Sequence, residues 1–242
     1  VLSILIDFDN IDPAIKQGGA VAMSKAIASC IPISVVQHYQ MLNFRLYGGW
    51  RSDGNLTTQA QRIIPDIRMN SPSMVTLGIG NQQLNIGLQV SLADSPIWQG
   101  PILSETFIRD RGLRNFRAKQ NPWSECANNL SCGMSHLAAL SHSTACQNNA
   151  CGAVAGKLLV RNEQKMVDTL LVSDIAYVVL KEKVKDIVVV SSDIDMWPGV
   201  LLALNAGCYV THVHTKAGWR TQRHLTQTLD VNTARLYQQT SI

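Results

Sequence analysis

Three short stretches of this chain are apolar at successive positions: residues 1–8 (VLSILIDF), 186–192 (DIVVVSS) and 208–215 (CYVTHVHT). A strand with one wet face alternates apolar and polar residues, whereas one apolar at consecutive positions is covered on both faces. Helical spacing separates these stretches: over residues 13–30, over residues 163–183, and again after Pro198. Buried strands alternating with helices predict an α/β fold, with a mostly parallel sheet between two helical layers. With 242 residues, 46% of them hydrophobic and 16% charged, the chain can build a sizeable core and is not a disordered segment. Its apolar runs are too short to span a membrane. No charged segment precedes an apolar one at the start, so no secretory leader is expected and a cytoplasmic location is; Val1 in place of Met leaves room for residues upstream.

Between these stretches the pattern is less regular. MLNFRLYGGW within residues 33–50 reads as a strand, residues 57–64 as a short helix closed by Pro65, and LNIGLQVSL as another strand. KLLVRN reads as a strand before the helix at 163–183, and the residues after 215 as a tail. Residues 119–156 are small, polar and rich in cysteine, without a sustained period, and read as a lobe inserted in one domain spanning 1–242. No internal repeat is present.

Two of the apolar strands run into carboxylates. The first ends in Asp7-Phe8-Asp9-Asn10, the later one in Ser191-Ser192-Asp193-Ile194-Asp195. Ligands of open α/β sheets bind beyond the carboxyl ends of the strands, where two such clusters can share one crevice. A third contribution comes from the helix predicted near Glu163. Lys165 and Asp168, three apart, share a face, while Asp168 and Asp174 fall among apolar neighbours and need partners. Two carboxylates about 4 Å apart repel by roughly 4 kcal/mol at an effective dielectric of about 20. A raised pKa or a hard cation resolves that, and oxygen ligands without His or Cys suit Mg²⁺ or Mn²⁺. Taken singly, Asp9, Asp12 and Asp195 read equally well as helix caps or surface acids. The formal charge of +4 is uneven: Arg109, Arg111, Arg114, Arg117 and Lys119 form one basic stripe, Lys216, Arg220, Arg223 and Arg235 another. Such stripes suit a polyanion or are solvated faces.

Taken in order, these segments resemble the NYN domain family, a branch of the PIN-like nucleases. The carrying residues are ILIDFDNI at the first strand, FRLYGGW at 44–50, Lys165-Met-Val-Asp168 with Asp174 six residues on, and VVVSSDIDMWP. The resemblance covers roughly residues 1–64 and 157–215. It implies a PIN-like domain and a metal-dependent nuclease acting on RNA, with single-stranded DNA a second substrate and a homo-oligomer left open. It also implies an acidic Mg²⁺ or Mn²⁺ site of Asp7, Asp168, Asp193 and Asp195. Asn10 would orient Asp7 or touch substrate, Lys165 would pair with the acids or a phosphate, and Ser191 would hold water or a phosphate oxygen. Met166 and Ser192 stand where the family has glycine, Met196 where it has an aromatic, and Asp9 is an added acid.

Six cysteines divide into two classes. Cys30 and Cys208 sit in apolar segments and read as core residues. Cys126, Cys132, Cys146 and Cys151, with His136 and His142 between, can close a structural Zn²⁺ site, one His replacing a thiolate; free thiols and disulfides are the alternatives. His212 and His214 share a strand face, which suits packing or a phosphate better than a metal. Trp50, Trp98, Trp123, Trp197 and Trp219 are core or rim residues that can also stack on bases. Two rival functions remain. Asp7-Phe8-Asp9 resembles the DxD motif of haloacid-dehalogenase phosphatases, although Ile11 replaces the Thr or Val of that motif. The other is a non-catalytic module binding RNA or protein around the zinc lobe.

Overall fold

The computed structural model describes residues 1–52, 54–79, 82–103, 107–111 and 161–242. The chain divides into two compact units, Val1–Phe107 with Lys165–Ile242, and Ile108–Gln164.

The larger unit is built on a seven-stranded sheet ordered β11-β10-β9-β1-β2-β6-β5. Its strands are β1 (Leu2–Asp7), β2 (Met41–Tyr47), β5 (Ser73–Ile79), β6 (Gln82–Leu92), β9 (Asp186–Val190), β10 (Tyr209–His214) and β11 (Tyr237–Ser241). All neighbours are parallel except β5, which forms an antiparallel edge on β6. The short strands β3 (Arg51–Ser52) and β4 (Asn55–Leu56) pair antiparallel. In the smaller unit, the described residues belong to neighbouring strands β7 (Phe107–Arg111) and β8 (Arg161–Lys165). The candidate zinc lobe at 119–156, including Cys126, Cys132, Cys146, Cys151, His136, His142 and Trp123, lies outside the described residues, as do Arg114, Arg117 and Lys119.

Period-two geometry divides the large unit into two cores. Leu2, Ile4, Ile6 and Phe8 of the first strand, Leu42, Phe44 and Leu46 of β2, and Val188 and Val190 of β9 face one layer. That layer contains α2 (Ala20–Ser29) and α4 (Thr58–Asn70), preceded by the single turns α1 (Pro13–Lys16) and α3 (Ile33–Val36). The alternate residues Leu5, Tyr47, Ile187 and Val189 face α5 (Val167–Leu180) and α6 (Trp197–Asn205). Successive side chains of a strand point to opposite faces, so burial on both requires the uniformly apolar runs seen in the sequence. Two further turns, α7 (Arg223–Thr226) and α8 (Val231–Ala234), lead into β11.

Four local expectations are corrected. The helix expected over 13–30 breaks in two, because Gly19 takes φ +88° and ψ 173°, a conformation open essentially to glycine alone. Pro65 lies inside α4 and does not close it: Thr57 caps the start, and Ile63, Ile64 and Ile67 hold the helix on the core despite the lost N–H. Residues 161–165 continue as strand, so the helix begins at Val167 and Lys165 is not on it. The tail contains β11, which β10 recruits in parallel through the register Val210↔Tyr237 to His214↔Ser241. Of the two isolated cysteines, Cys208 is buried and Cys30 half-buried against the core. Trp50 and Trp197 are buried, Trp98 and Trp219 exposed. Among the described residues no helix is long and apolar enough to cross a membrane.

Candidate metal centre

The acids collect beyond the carboxyl ends of β1 and β9, which are neighbours in register from Ser3↔Ile187 to Ile6↔Val190. Asp7 has the parity of Leu5 and faces the α5 layer, where Asp168 occupies the first turn of that helix. Asp193 and Asp195 follow β9 on a loop ending in a 3-10 turn, Ile194–Met196. The Asp193 carboxylate caps that turn, its Oδ1 accepting from the Asp195 N–H at 3.1 Å. One ligand oxygen each from Asp168, Asp193 and Asp195 lies within 4.8 Å of the others. Full charges at that separation repel by about 3.5 kcal/mol or more per pair at an effective dielectric of about 20. The crowding is visible in Asp168, whose carboxyl is pushed up to about 6 by burial first, then by the charges of Asp7, Asp193, Asp195 and Asp9. Three carboxylates with no nitrogen or sulfur ligand make an all-oxygen donor set, and this set fits a hard divalent cation such as Mg²⁺ or Mn²⁺.

Asp7 stands behind this triangle. It is 2% exposed, and its Oδ2 accepts from the Asn10 side-chain amide and from the Ser191 hydroxyl, the latter at 2.8 Å. Burial raises its pKa, and those two donors oppose the rise by favouring the anion. Ser191 Oγ also accepts from the Asp193 N–H at 3.0 Å, so one hydroxyl links the two strand ends. Asn10 and Ser191 therefore position Asp7. Lys165 ends β8, and its side chain lies outside what is described, as do those of Arg109 and Arg111 on β7.

Asp9 is held elsewhere. Its Oδ2 accepts from the Gly49 N–H at 2.8 Å and its Oδ1 from the Gln59 amide at 2.7 Å. The glycine pair of FRLYGGW admits this contact: a Cβ on Gly48 would sit 3.0 Å from both Asp9 Oδ2 and the Trp50 ring. Asp12 caps α1 by accepting from the Ala14 N–H at 2.8 Å. Asp174, fully buried on α5, is paired: Arg45 Nε donates at 3.0 Å, Tyr47 Oη at 2.7 Å and the Ile97 N–H at 3.1 Å.

Sequence reasoning passed over Lys16. It leaves α1 half-buried, donates to the Asp9 carbonyl at 3.3 Å and lies 4.5 Å above the Phe8 ring. Burial lowers its pKa, while the charges of Asp9, Asp7 and Asp12 raise it. A lone Lys in the middle of a helical pattern carries no signal of what it reaches.

On the other side of the acids, His212 and His214 stack with ring centroids 4.4 Å apart. His212 Nε2 lies 2.9 Å from the Ser191 carbonyl, an acceptor only, so that nitrogen carries the proton. Its Nδ1 then accepts from Tyr237 Oη at 3.0 Å. Burial, with the neighbouring His214, lowers His212 to about 4, so the pair is neutral packing that braces the Ser191 loop. A cavity of about 60 Å³ opens here between Asp193, Trp197, His214, Trp219 and Arg220. Lys216 Nζ sits 4.6 Å over the Trp219 ring.

Comparison of the chain with protein-family models, with curated proteins and with solved structures finds no match.

Proposed function

We propose that this protein is a metal-dependent nuclease hydrolysing phosphodiester bonds in RNA, with Asp168, Asp193 and Asp195 as ligands of Mg²⁺ or Mn²⁺ and Asp7 as the supporting anion behind them. The observation that carries the reading is the triangle of three acids, Asp168 in the first turn of α5 and Asp193 and Asp195 on the loop after β9, beside the buried Asp7 that ends the neighbouring strand. Acids with no structural need to meet are expensive to crowd, and a divalent ion removes that expense. A bound ion of this kind supplies Lewis-acid activation of water and neutralises charge at the attacked phosphate. Around it, the chain's own groups have separate tasks. Asp7, fixed by Asn10 and Ser191, adds negative potential without leaving the sheet edge. Asp168 holds a proton below about pH 6 and releases it as the cation binds, so affinity for the ion rises with pH. The resemblance to NYN domains described above supports RNA as the substrate class.

The test is cleavage of a labelled RNA with Mn²⁺ by the wild type and by Asp193→Asn. Asparagine keeps the oxygen that caps the following turn, so the fold survives while the ligand charge is lost. Cleavage should fall by more than the roughly 10- to 100-fold that metal sites lose with an outer partner, because Asp193 is itself a ligand. Equal cleavage by the two proteins removes the assignment.

A further inference from the structure

The other side of the first strand end carries a second, larger cavity. Phe8 is adjacent to Asp7 but points to the opposite helical layer, and beyond it a cavity of about 510 Å³ opens between α1 and α4. That volume lies within the range of pockets that enclose a nucleotide-sized ligand. Phe8 and Ile63 supply its apolar wall, Gln17 and Gln59 its side-chain amides, and Lys16 and Arg62 its charge. The one acid in the lining, Asp66, is already engaged: its Oδ2 accepts from the Ala20 N–H and its Oδ1 from the Asn70 amide at 2.8 Å. Neither Lys16 nor Arg62 forms an ion pair among the described residues. With Asp66 keeping its charge, the lining carries two cations against one acid, beside an apolar wall. Lys16 joins the recess to the first strand end, since it lines the cavity and donates to the Asp9 carbonyl at 3.3 Å.

We infer that this recess is a binding subsite for a nucleotide unit of single-stranded nucleic acid, its phosphate held by Lys16 and Arg62 and its base edge met by Gln17 and Gln59. This rests on the nuclease reading above, because a nucleic-acid strand that brings a phosphate to the acid triangle is what would supply the nucleotide unit to the recess. The chemistry matches on each count. Two cations answer a phosphodiester; the Gln17 amide offers both a donor and an acceptor to a base edge, and Gln59, whose nitrogen is held by Asp9, offers its oxygen. A single strand is required, because only an unpaired base can be splayed out of its stack and offer its Watson–Crick edge to the recess.

The experiment is fluorescence anisotropy of a labelled single-stranded oligoribonucleotide with EDTA present, so that binding is read without cleavage. Arg62→Ala and Lys16→Gln should each weaken binding about fivefold. Each should also flatten the plot of log affinity against log salt by about 0.7, the loss of one phosphate contact on a single strand. Arg68→Ala is the control: Arg68 is exposed on the same helix but does not line the recess, so affinity should hold. Arg62 is also exposed, which keeps its variant folded. Absence of wild-type binding, or equal effects of the Arg62 and Arg68 variants, overturns the subsite. Selective loss in the Arg62 variant, together with no Mn²⁺-dependent cleavage, leaves the subsite standing and overturns the nuclease reading.

Discussion

Asp7 and Phe8 are neighbours in the chain that serve opposite faces of one strand, and the whole site depends on that parity. Asp7 turns toward the acids of α5 and the β9 loop, while Phe8 lines the cationic recess. The sequence already held this information, since a strand reverses direction at every residue. Protonation at this scale depends on burial, which the sequence does not state. His212 has its folded pKa lowered to about 4 from an ordinary value near 6.5. Between those values the unfolded chain binds the proton more readily, so this residue's contribution to stability is present above about pH 6.5 and is lost as the pH falls toward 4. Asp168 has the opposite slope: its folded carboxyl, raised to about 6, makes the apo protein less stable as the pH rises from about 4 to 6. The difference between wild type and His212→Gln isolates the first effect. Urea denaturation at pH 7 and pH 5 should show the wild type losing on the order of 1–2 kcal/mol more than the variant. Equal losses would refute the buried neutral imidazole.

At the scale of elements, the sequence was readable wherever periodicity ran long and unreadable where one backbone conformation decided the outcome. α5 is apolar nearly all round, and it packs against both the sheet and its neighbour α6 as its composition requires. Its beginning was misjudged, because Met166 adopts φ +66°, a left-handed conformation that ends β8 and starts the helix. Periodicity contains no signature of one such residue. The break between α1 and α2 has the same origin. Gly19 offers no side-chain cap, and Asp66 of α4 fills that role by accepting from the Ala20 N–H. A Cβ on Gly19 would lie 2.7 Å from that carboxylate as well as straining the backbone. Gly19→Ala should therefore cost about 2 kcal/mol or more in thermal or chemical denaturation. A variant as stable as wild type would mean that the α1–α2 junction does not need this conformation.

At the scale of the molecule, one buried ion pair joins α5 to the sheet. Asp174 meets Arg45 and Tyr47 of β2 and the N–H of Ile97, and in return the Tyr47 hydroxyl is held well above its ordinary pKa by burial and by the Asp174 charge. Removing one member strands the other: Asp174→Ala should destabilise the fold by roughly 3–5 kcal/mol, with Arg45→Met, Asp174→Leu recovering most of it. Denaturation midpoints of the single and double variants decide between this and a dispensable pair. The sequence by itself determined the class of fold and that Asp174 needed a partner, because unbroken apolar strands have no stable place except between two layers and a lone charge has none in a core. It also determined which acids end the strands. Only the tertiary structure decided that Arg45 is that partner, that Asp9 is tied to Gly49 and Gln59, and that Lys16 reaches the Asp9 carbonyl. The reason is physical: periodicity is a local property carried along the chain, whereas a contact between Arg45 and Asp174 depends on how strands are ordered in the sheet and how far each helix slides along it.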